Sequence, residues 1–265
     1  MTASRVLLTN DDGIDSVGLR ALREALSEVA EVIMIAPADD QSAVGRASSD
    51  EVTVREHEHG YVVEGTPVDC VIAGLGDLVP DVDAVVSGCN KGANLGAYTL
   101  GRSGTISAAV EAAFFDVPAI AVSMYIPGGD DWYKRELSQR DYRNATEAAR
   151  FLLDESVGTE AFETADYLNV NAPTFDSDEL VPMEVTRPST LYDMTATQSG
   201  DSIRLTDRVW DRMEEGTLPD PEGTDRRAVV EDRVSVSPLT APHTTERYGE
   251  LDRLVGSYND LPKQE

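Results

Sequence analysis

Hydrophobic and polar positions in the first two thirds of the chain alternate between two periods. Short apolar runs typical of buried strands occupy residues 5–10, 32–36, 82–87, 119–124 and 167–171. Apolar side chains recur at helical spacing between them, in 16–29, 66–75, 103–116 and 142–153. Strands separated by helices predict an α/β fold, with a mostly parallel sheet covered by helices on both faces. We assign residues 1–180 to this core, which also contains a short hairpin over 51–64.

The pattern changes after residue 180. Short β-like runs at 183–187, 203–205 and 234–236 are divided by polar turns. The stretch 214–227 is rich in proline, glycine and acids, which is typical of a loop. Helical spacing returns near 246–255. We therefore predict a second region, residues 181–265, that is a β-rich extension ending in a modest helix.

The charge of the chain is strongly one-sided. Its 265 residues include 22 basic and 49 acidic side chains, so the formal net charge is −27. Such a field repels nucleic-acid backbones and anionic membranes, which excludes both as partners. Because the acids are spread through helices and loops, the composition also predicts adaptation to a salt-rich cytoplasm.

The remaining composition favours an ordinary cytoplasmic protein. No apolar run approaches the roughly 20 residues that a membrane span needs, and the N-terminus has no secretory pattern. Cys70 and Cys89 are the only cysteines and belong to no CxxC pair. Both lie in apolar surroundings, so we expect reduced, buried thiols and no thiolate metal site.

Polar side chains follow three of the predicted strands. Asp11 and Asp12 come after the first, Ser42 lies in the loop after the second, and Asn90 and Asn94 follow the strand at 82–87. The carboxyl ends of parallel strands meet at one edge of a sheet, where ligands bind. Oxygen donors of these types suit Mg²⁺, Mn²⁺ or Ca²⁺. Each segment alone is also typical of a turn, and it is their shared edge that indicates a cation site.

The next helix start adds a candidate anion site. Ser103 precedes the helix at 103–116, and Gly104 and Thr105 open its first turn. Free N–H groups and the helix dipole favour a phosphate there, with Arg102 and Lys91 as nearby positive charges. The alternative is a serine that only caps the helix. A phosphate pocket beside a hard cation indicates phosphoryl chemistry.

The chain resembles the SurE family over nearly its whole length. The resemblance rests on segments that occur in the family's order and at about its spacing: LLTNDDGI, APADDQSAVGRA, EGTPVDCVIAGL, VVSGCNKGANLG, SGTISAAVEAA, PAIAVSM, LNVNAP and RVSVSPL. It implies a Rossmann-like fold whose C-terminal β-rich oligomerisation extension exchanges arms between subunits, hence a homodimer or homotetramer. It also implies a 5'-nucleotidase that hydrolyses nucleoside 5'-monophosphates, with possible 3'-nucleotide and short-polyphosphate activity.

The resemblance also implies roles for individual residues. One divalent ion per subunit, Mg²⁺ or Mn²⁺, would be held by Asp11, Asp12, Ser42 and Asn90. Phosphate would be bound by Asn94, Ser103, Gly104 and Thr105. Asp11 and Asp12 are the expected catalytic residues, and whether either acts as base or nucleophile stays open.

Three departures from the family pattern affect the substrate side of the site. Arg102 replaces a usual tyrosine, Asp39 and Asp40 make the serine loop acidic, and Asp232-Arg233 replaces a Gly-Tyr pair. We expect each of the three histidines to be a structural surface residue, and His243 is the first alternative among them for protonating a leaving group.

Three other classes of protein compete with the enzyme. A signalling receiver domain also has paired acids after its first strand, but Ser87–Asn90 stands where its phosphoacceptor aspartate would be. A dinucleotide-binding module would need GxGxxG after the first strand, which is missing. A non-catalytic metal- and nucleotide-binding sensor would keep the same site, and only turnover distinguishes it.

Overall fold

The fold is taken from a computed structural model that describes residues 4–177, 179–241 and 253. Its strands are β1 (Arg5–Thr9), β2 (Glu31–Pro37), β3 (Thr53–His57), β4 (Gly60–Glu64), β5 (Ala84–Lys91), β6 (Ala119–Tyr125), β7 (Tyr167–Pro173), β8 (Met183–Val185), β9 (Met194–Ser199), β10 (Ser202–Asp207) and β11 (Val234–Leu239). Its α-helices are α1 (Val17–Leu26), α2 (Pro67–Ala73), α3 (Gly104–Phe114), α4 (Arg143–Ser156), α5 (Ala161–Thr164), α6 (Arg208–Glu214) and α7 (Asp225–Val230).

Nine of these strands form one sheet in the order β3-β4-β2-β1-β5-β6-β7-β11-β8. The strands from β4 to β7 are parallel, whereas β3 and β11 run antiparallel to their neighbours β4 and β7. The prediction of a mostly parallel sheet is confirmed.

The order of the strands reverses next to β1. The chain places β2 and then β4 on one side of β1, and β5, β6 and β7 on the other. In doubly wound sheets, ligands bind beyond the carboxyl ends of the strands at this reversal. The reversal therefore puts the ends of β1 and β5 at the mouth of the same crevice.

Helices cover both faces of the sheet. Leu19 and Leu22 of α1 pack with Leu153 of α4 against one face, while α2 and α3 cover the other with side chains such as Val71 and Ile106. Successive strand residues point to opposite faces, so both faces of β1 must be apolar. This explains why its sequence is an unbroken apolar run.

The C-terminal third is only partly separate from this sheet. Strands β8 and β11 extend the main sheet, and only β9 and β10 form an antiparallel hairpin of their own. The division into 1–180 and 181–265 stays a prediction. The stretch 214–227 was predicted as a loop, but helix α7 begins at Asp225, so the prediction is wrong for the last residues of that stretch. The helix predicted near 246–255, apart from Arg253, and His243 lie outside the described residues.

Two expectations from composition can be compared directly with the fold. Cys70 and Cys89 are buried free thiols, as predicted. Among the described residues, no helix combines the length and apolar character needed to cross a membrane.

Candidate metal and phosphate site

Asp11 joins the three loops that the sequence predicts at one edge. It follows β1 and is almost completely buried. Its Oδ1 accepts a hydrogen bond of 2.6 Å from the Thr105 hydroxyl at the start of α3. Its backbone carbonyl accepts one of 2.7 Å from the Gln41 N–H, beside Ser42. The first strand, the serine loop and the phosphate-type helix start therefore meet at this residue.

Asp12 faces the end of β5. Its Oδ2 accepts a hydrogen bond of 2.9 Å from the Lys91 N–H, one residue beyond Asn90. The two adjacent aspartates thus contact different neighbours, Asp11 the helix α3 and Asp12 the strand β5. Strand β5 pairs directly with β1, the strand that the aspartates follow.

Burial makes ionisation of this pair costly. It raises the pKa of Asp11 above the ordinary value, against the opposing effect of the Thr105 hydroxyl. Burial and then the charge of Asp11 raise the pKa of Asp12 to about 7, although the Lys91 N–H opposes the change. A bound cation would favour the ionised form of both carboxylates and so offset this cost. A pair of aspartates with raised pKa values is therefore consistent with a metal site.

Ser42 and Asn90 lie on the flanking loops. Ser42 donates its hydroxyl and its N–H to one oxygen of Asp40, at 2.5 and 2.7 Å. Asn90 donates its side-chain amide to the Gly92 carbonyl at 2.6 Å, so its Oδ1 is not used in that bond. The structure thus places both residues beside the aspartate pair through their neighbours in sequence, with their side chains bonded to other groups.

Asp40 is a site residue that the sequence analysis noted only as an acidic departure. It holds Ser42, and its charge also raises the pKa of both Asp11 and Asp12. Its position two residues before a serine is typical of a local side-chain turn, which is the signal that could have identified it.

The start of α3 combines a cap with the site. The Ser103 hydroxyl accepts the Ile106 N–H at 3.1 Å, so this serine does cap the helix. Gly104 lies so close to the aspartate that a side-chain carbon on it would be 2.9 Å from Asp11 Cβ. The first N–H groups of a helix have no partners within it, so those of Gly104 and Thr105 can face an anion at this end of α3. The Thr105 N–H also bonds to the Asp11 carboxylate, which lowers the pKa of that group.

Asn94 is held from the neighbouring strands. Its side-chain amide donates to the Ser123 hydroxyl at 2.9 Å, and its N–H donates to Asn171 Oδ1 at 2.8 Å. Asn169 and Asn171 donate in turn to the Asn94 carbonyl. Their role was missed in the sequence, although two asparagines in an otherwise buried strand, β7, are an informative signal.

The two cations expected near the phosphate have other contacts. The Lys91 ammonium donates to the backbone carbonyls of Tyr133 and Arg135, at 2.9 Å each. The Arg102 guanidinium lies over the Tyr98 ring, 5.5 Å from its centroid. Both cations are therefore engaged by groups other than the start of α3.

The donors present fit a hard cation better than zinc. No group of three or more histidine, cysteine, aspartate or glutamate side chains that could hold a metal occurs among the described residues. One buried and one partly buried carboxylate, together with hydroxyl and amide oxygens, instead match the ligands of Mg²⁺ and Mn²⁺.

The doubly wound sheet, the aspartates at its strand-order reversal and the helix start beside them define an α/β protein with a candidate hard-cation site next to a candidate anion site. The family model described as Survival protein SurE matches residues 6–193. The chain belongs to the SurE family.

Relatives of known name are similar over nearly the whole chain. A protein named 5'-nucleotidase SurE from Haloarcula marismortui is 60% identical over 260 residues, covering 97% of this chain and 96% of its own. One of the same name from Natronomonas pharaonis is 59% identical over 254 residues, with 96% and 99% covered. The crystal structure of the SurE protein from Aquifex aeolicus matches with a TM-score of 0.76 and 29% identity, covering 97% of this chain and all of that one.

Proposed function

We propose that this protein is a metal-dependent 5'-nucleotidase, which hydrolyses nucleoside 5'-monophosphates to nucleoside and phosphate. The observation that carries the proposal is the 2.6 Å hydrogen bond between Thr105 and Asp11. It places the carboxylate of a candidate cation site against the helix start of a candidate phosphate site. The names of the similar halophilic proteins support the same activity.

The residues divide into two groups by role. Asp11, Asp12, Ser42 and Asn90 would hold one Mg²⁺ or Mn²⁺ per subunit. The ion would offset phosphate charge and lower the pKa of an attacking water. Both aspartates are assigned as catalytic, because a carboxylate can accept a proton or attack phosphorus, and which of them does so stays open.

Phosphate binding falls to the start of α3 and to Asn94. The N–H groups of Gly104 and Thr105 and the dipole of an eleven-residue helix attract the phosphate oxygens. Ser103 keeps this turn in shape through its cap, and Asn94 is fixed by Ser123 and Asn171. A rigid, preformed pocket of this kind holds the phosphate in one orientation for attack.

Finer properties belong to the same proposal. Activity on 3'-nucleotides and short polyphosphate, a cytoplasmic location and a homodimer or homotetramer are expected from the family resemblance. The exposed apolar side chains of Ile203 and Leu205 on β10 support an oligomer, because an isolated two-stranded hairpin is only marginally stable in water.

Phosphate release from AMP tests the proposal. With Mn²⁺ present, Asp11→Asn and Asp12→Asn should lower turnover by about 10³-fold or more, because each removes a charged ligand of the cation. EDTA should lower wild-type turnover similarly. The matched control Asp81→Asn changes an exposed loop acid and should retain turnover. Wild-type rates in both site variants would refute the assignment, and AMP binding without any turnover would favour the sensor.

A further inference from the structure

A cavity of about 640 Å³ is lined in part by the loop between Asn90 and Asn94. Gly92 and Ala93 form one wall, and they lie in sequence between Asn90 and Asn94. The link to Asn90 is direct, because its side-chain amide is bonded to the Gly92 carbonyl. The opposite wall comes from β10 and α6. This loop therefore connects the cavity with the candidate cation and phosphate site.

Three aromatic residues line the cavity, Tyr125 and two tryptophans. Trp132 and Trp210 both line it, and they are the chain's only tryptophans. The Trp132 ring lies against Gly92 so closely that a side-chain carbon there would be 2.8 Å from it. The Lys91 ammonium fastens the segment of Trp132 by its bonds to the carbonyls of Tyr133 and Arg135. Any nucleobase can stack on an indole, with a gain of about 1–3 kcal/mol per base by alanine substitution in other proteins.

The polar part of the wall is acidic. Three carboxylates, Asp207, Asp211 and Glu214, line the cavity against one cation, Arg204. Asp207 caps α6 and accepts a hydrogen bond from Tyr98, and Glu214 accepts one from the Gly128 N–H. The Asp211 carboxylate has no hydrogen-bond partner within the described part of the chain. An ionised carboxylate accepts hydrogen bonds and cannot donate them.

We propose that this cavity binds the base and that Asp211 makes it select bases carrying an exocyclic amino group, such as adenine and cytosine. The inference rests on the proposed nucleotidase function. Stacking on Trp132 and Trp210 holds any base, whereas Asp211 accepts an N–H from an amino group and repels a carbonyl at the same position. A hydrogen bond to a charged group gives about tenfold selectivity at a partly hydrated site.

Intrinsic fluorescence can test the binding without catalysis. Because both tryptophans line the cavity, titrating the metal-free full-length protein with nucleosides reports directly on its occupancy. Adenosine and cytidine should quench the emission and bind about tenfold more tightly than inosine and uridine. Each pair differs at the amino position, where the second member has a carbonyl. If no nucleoside quenches, the cavity is not the base site, and equal affinities would refute the selection.

Substitution identifies the residue responsible. Asp211→Asn introduces a donor at the same position and should reduce the tenfold preference for adenosine over inosine to about twofold or less. Asp81→Asn, which removes one acid far from the cavity in sequence and exposed to solvent, should keep the preference. Retention of the full preference in Asp211→Asn would overturn the role of this carboxylate. Because Asp211 is exposed, the substitution should leave the melting temperature unchanged. Measuring that temperature verifies that the variant is folded.

Turnover separates this inference from the proposed function. The ratio of kcat/KM for AMP to that for IMP should also be about ten in the wild type and should fall in Asp211→Asn. If nucleosides quench selectively but no nucleotide is hydrolysed, the nucleotidase proposal fails and the base site stands. If AMP and IMP are hydrolysed equally well and neither nucleoside quenches, the nucleotidase stands and the base site fails.

Discussion

Gly104 is the residue at which the first turn of α3 meets the Asp11 carboxylate. A methyl group there would be 2.9 Å from both Cβ and Oδ2 of Asp11, closer than such atoms approach. The backbone of Gly104 is helical, so alanine introduces no backbone strain and even favours the helix. Gly104→Ala should therefore displace the Asp11 carboxylate, with an overpacking cost to the fold of about 1–3 kcal/mol.

We expect Gly104→Ala to lower kcat/KM for AMP about 10²-fold, as displacements of about 1 Å in an active site do, measured at a temperature at which the variant is still fully folded. Gly101→Ala is the matched control, because nothing lies within 4 Å of the added carbon in the same loop. Equal activity of the two variants would show that the Asp11 carboxylate tolerates the displacement.

Asp12 links stability to pH in the metal-free protein. Its pKa is raised from 3.8 to about 7 by burial and the neighbouring charge, so the folded state keeps a proton that the unfolded chain releases. Between about pH 4 and pH 7 the free energy of unfolding must then fall as the pH rises. Asp12→Asn removes this ionisation while keeping an acceptor for the Lys91 N–H.

In EDTA at about pH 8, Asp12→Asn should be more stable than the wild type by roughly 1–3 kcal/mol, and the difference should shrink near pH 5. Urea unfolding at the two pH values measures it. Mn²⁺ should stabilise the wild type more than the variant. A stability difference that does not change with pH would contradict the buried, proton-binding state of Asp12.

At the scale of elements, the sequence predicts most accurately the strands that are covered by helices on both faces of the sheet. Strands such as β1 and β6 are continuous apolar runs because helices cover both sides of the sheet. β9 carries the sequence Met194–Ser199, which is mostly polar and exposed, and so gave no strand signal. Helix α7 was missed because it has only six residues, and Asp225 and Arg226 in it are buried by tertiary contacts.

In the candidate site, too, the features that depend on tertiary contacts could not be predicted from the sequence. Aspartates at strand ends can be predicted from position alone, because parallel strands bring their carboxyl ends together. The contacts of Asn94 with Ser123 and Asn171 depend on side chains from β6 and β7, whose neighbours in space are set by the whole sheet. The family resemblance supplied the role of Asn94, and the packing that holds it required the structure.

Helix α7 fixes the loop that carries Asn94. Asp225 accepts hydrogen bonds from the N–H groups of Gly96 and Ser189, at 2.6 and 2.9 Å. The fully buried Arg226 guanidinium lies where a side chain on Gly96 would be, only 2.1 Å from the position of that carbon. Gly96 also has a φ of +86°, which disfavours any other residue. The steric and backbone penalties can be separated experimentally.

Gly200→Ala measures the backbone penalty alone, because Gly200 has a φ of +60° and nothing lies within 4 Å of an added carbon. Gly96→Ala should cost about 1–3 kcal/mol more than this, from overpacking against Arg226. Arg226→Ala should itself destabilise the protein by about 3–5 kcal/mol, because it leaves Asp220 unpaired. In that background, the extra cost of Gly96→Ala over Gly200→Ala should disappear. Urea unfolding of the four proteins in the cycle measures the coupling, and additive effects would contradict the contact.

At the scale of the whole molecule, the dominant feature is the net charge of −27. The ion pairs among the described residues are mostly at the surface, as between Arg55 and Glu64 or Arg5 and Glu31, and pairs of this kind contribute little. The 49 acids outnumber the 22 basic residues by more than two to one, so most acids cannot be offset one for one, and the folded state brings them closer together than the unfolded chain does. Self-repulsion of this size destabilises the compact state in dilute buffer.

Concentrated salt should therefore stabilise this protein. At about 1 M KCl the Debye length falls to about 3 Å, so repulsion between exposed acids is screened. A gain of about 2 kcal/mol would raise the melting temperature by about 4–8 °C in a chain of this size, measured by following unfolding from dilute to molar KCl with EDTA present. Sucrose at equal osmolality is the control, because it stabilises by exclusion from the surface without screening charge. An unchanged melting temperature in KCl would refute salt adaptation. An equal rise in sucrose would show that the stabilisation comes from exclusion of the solute from the protein surface, because charge screening requires ions.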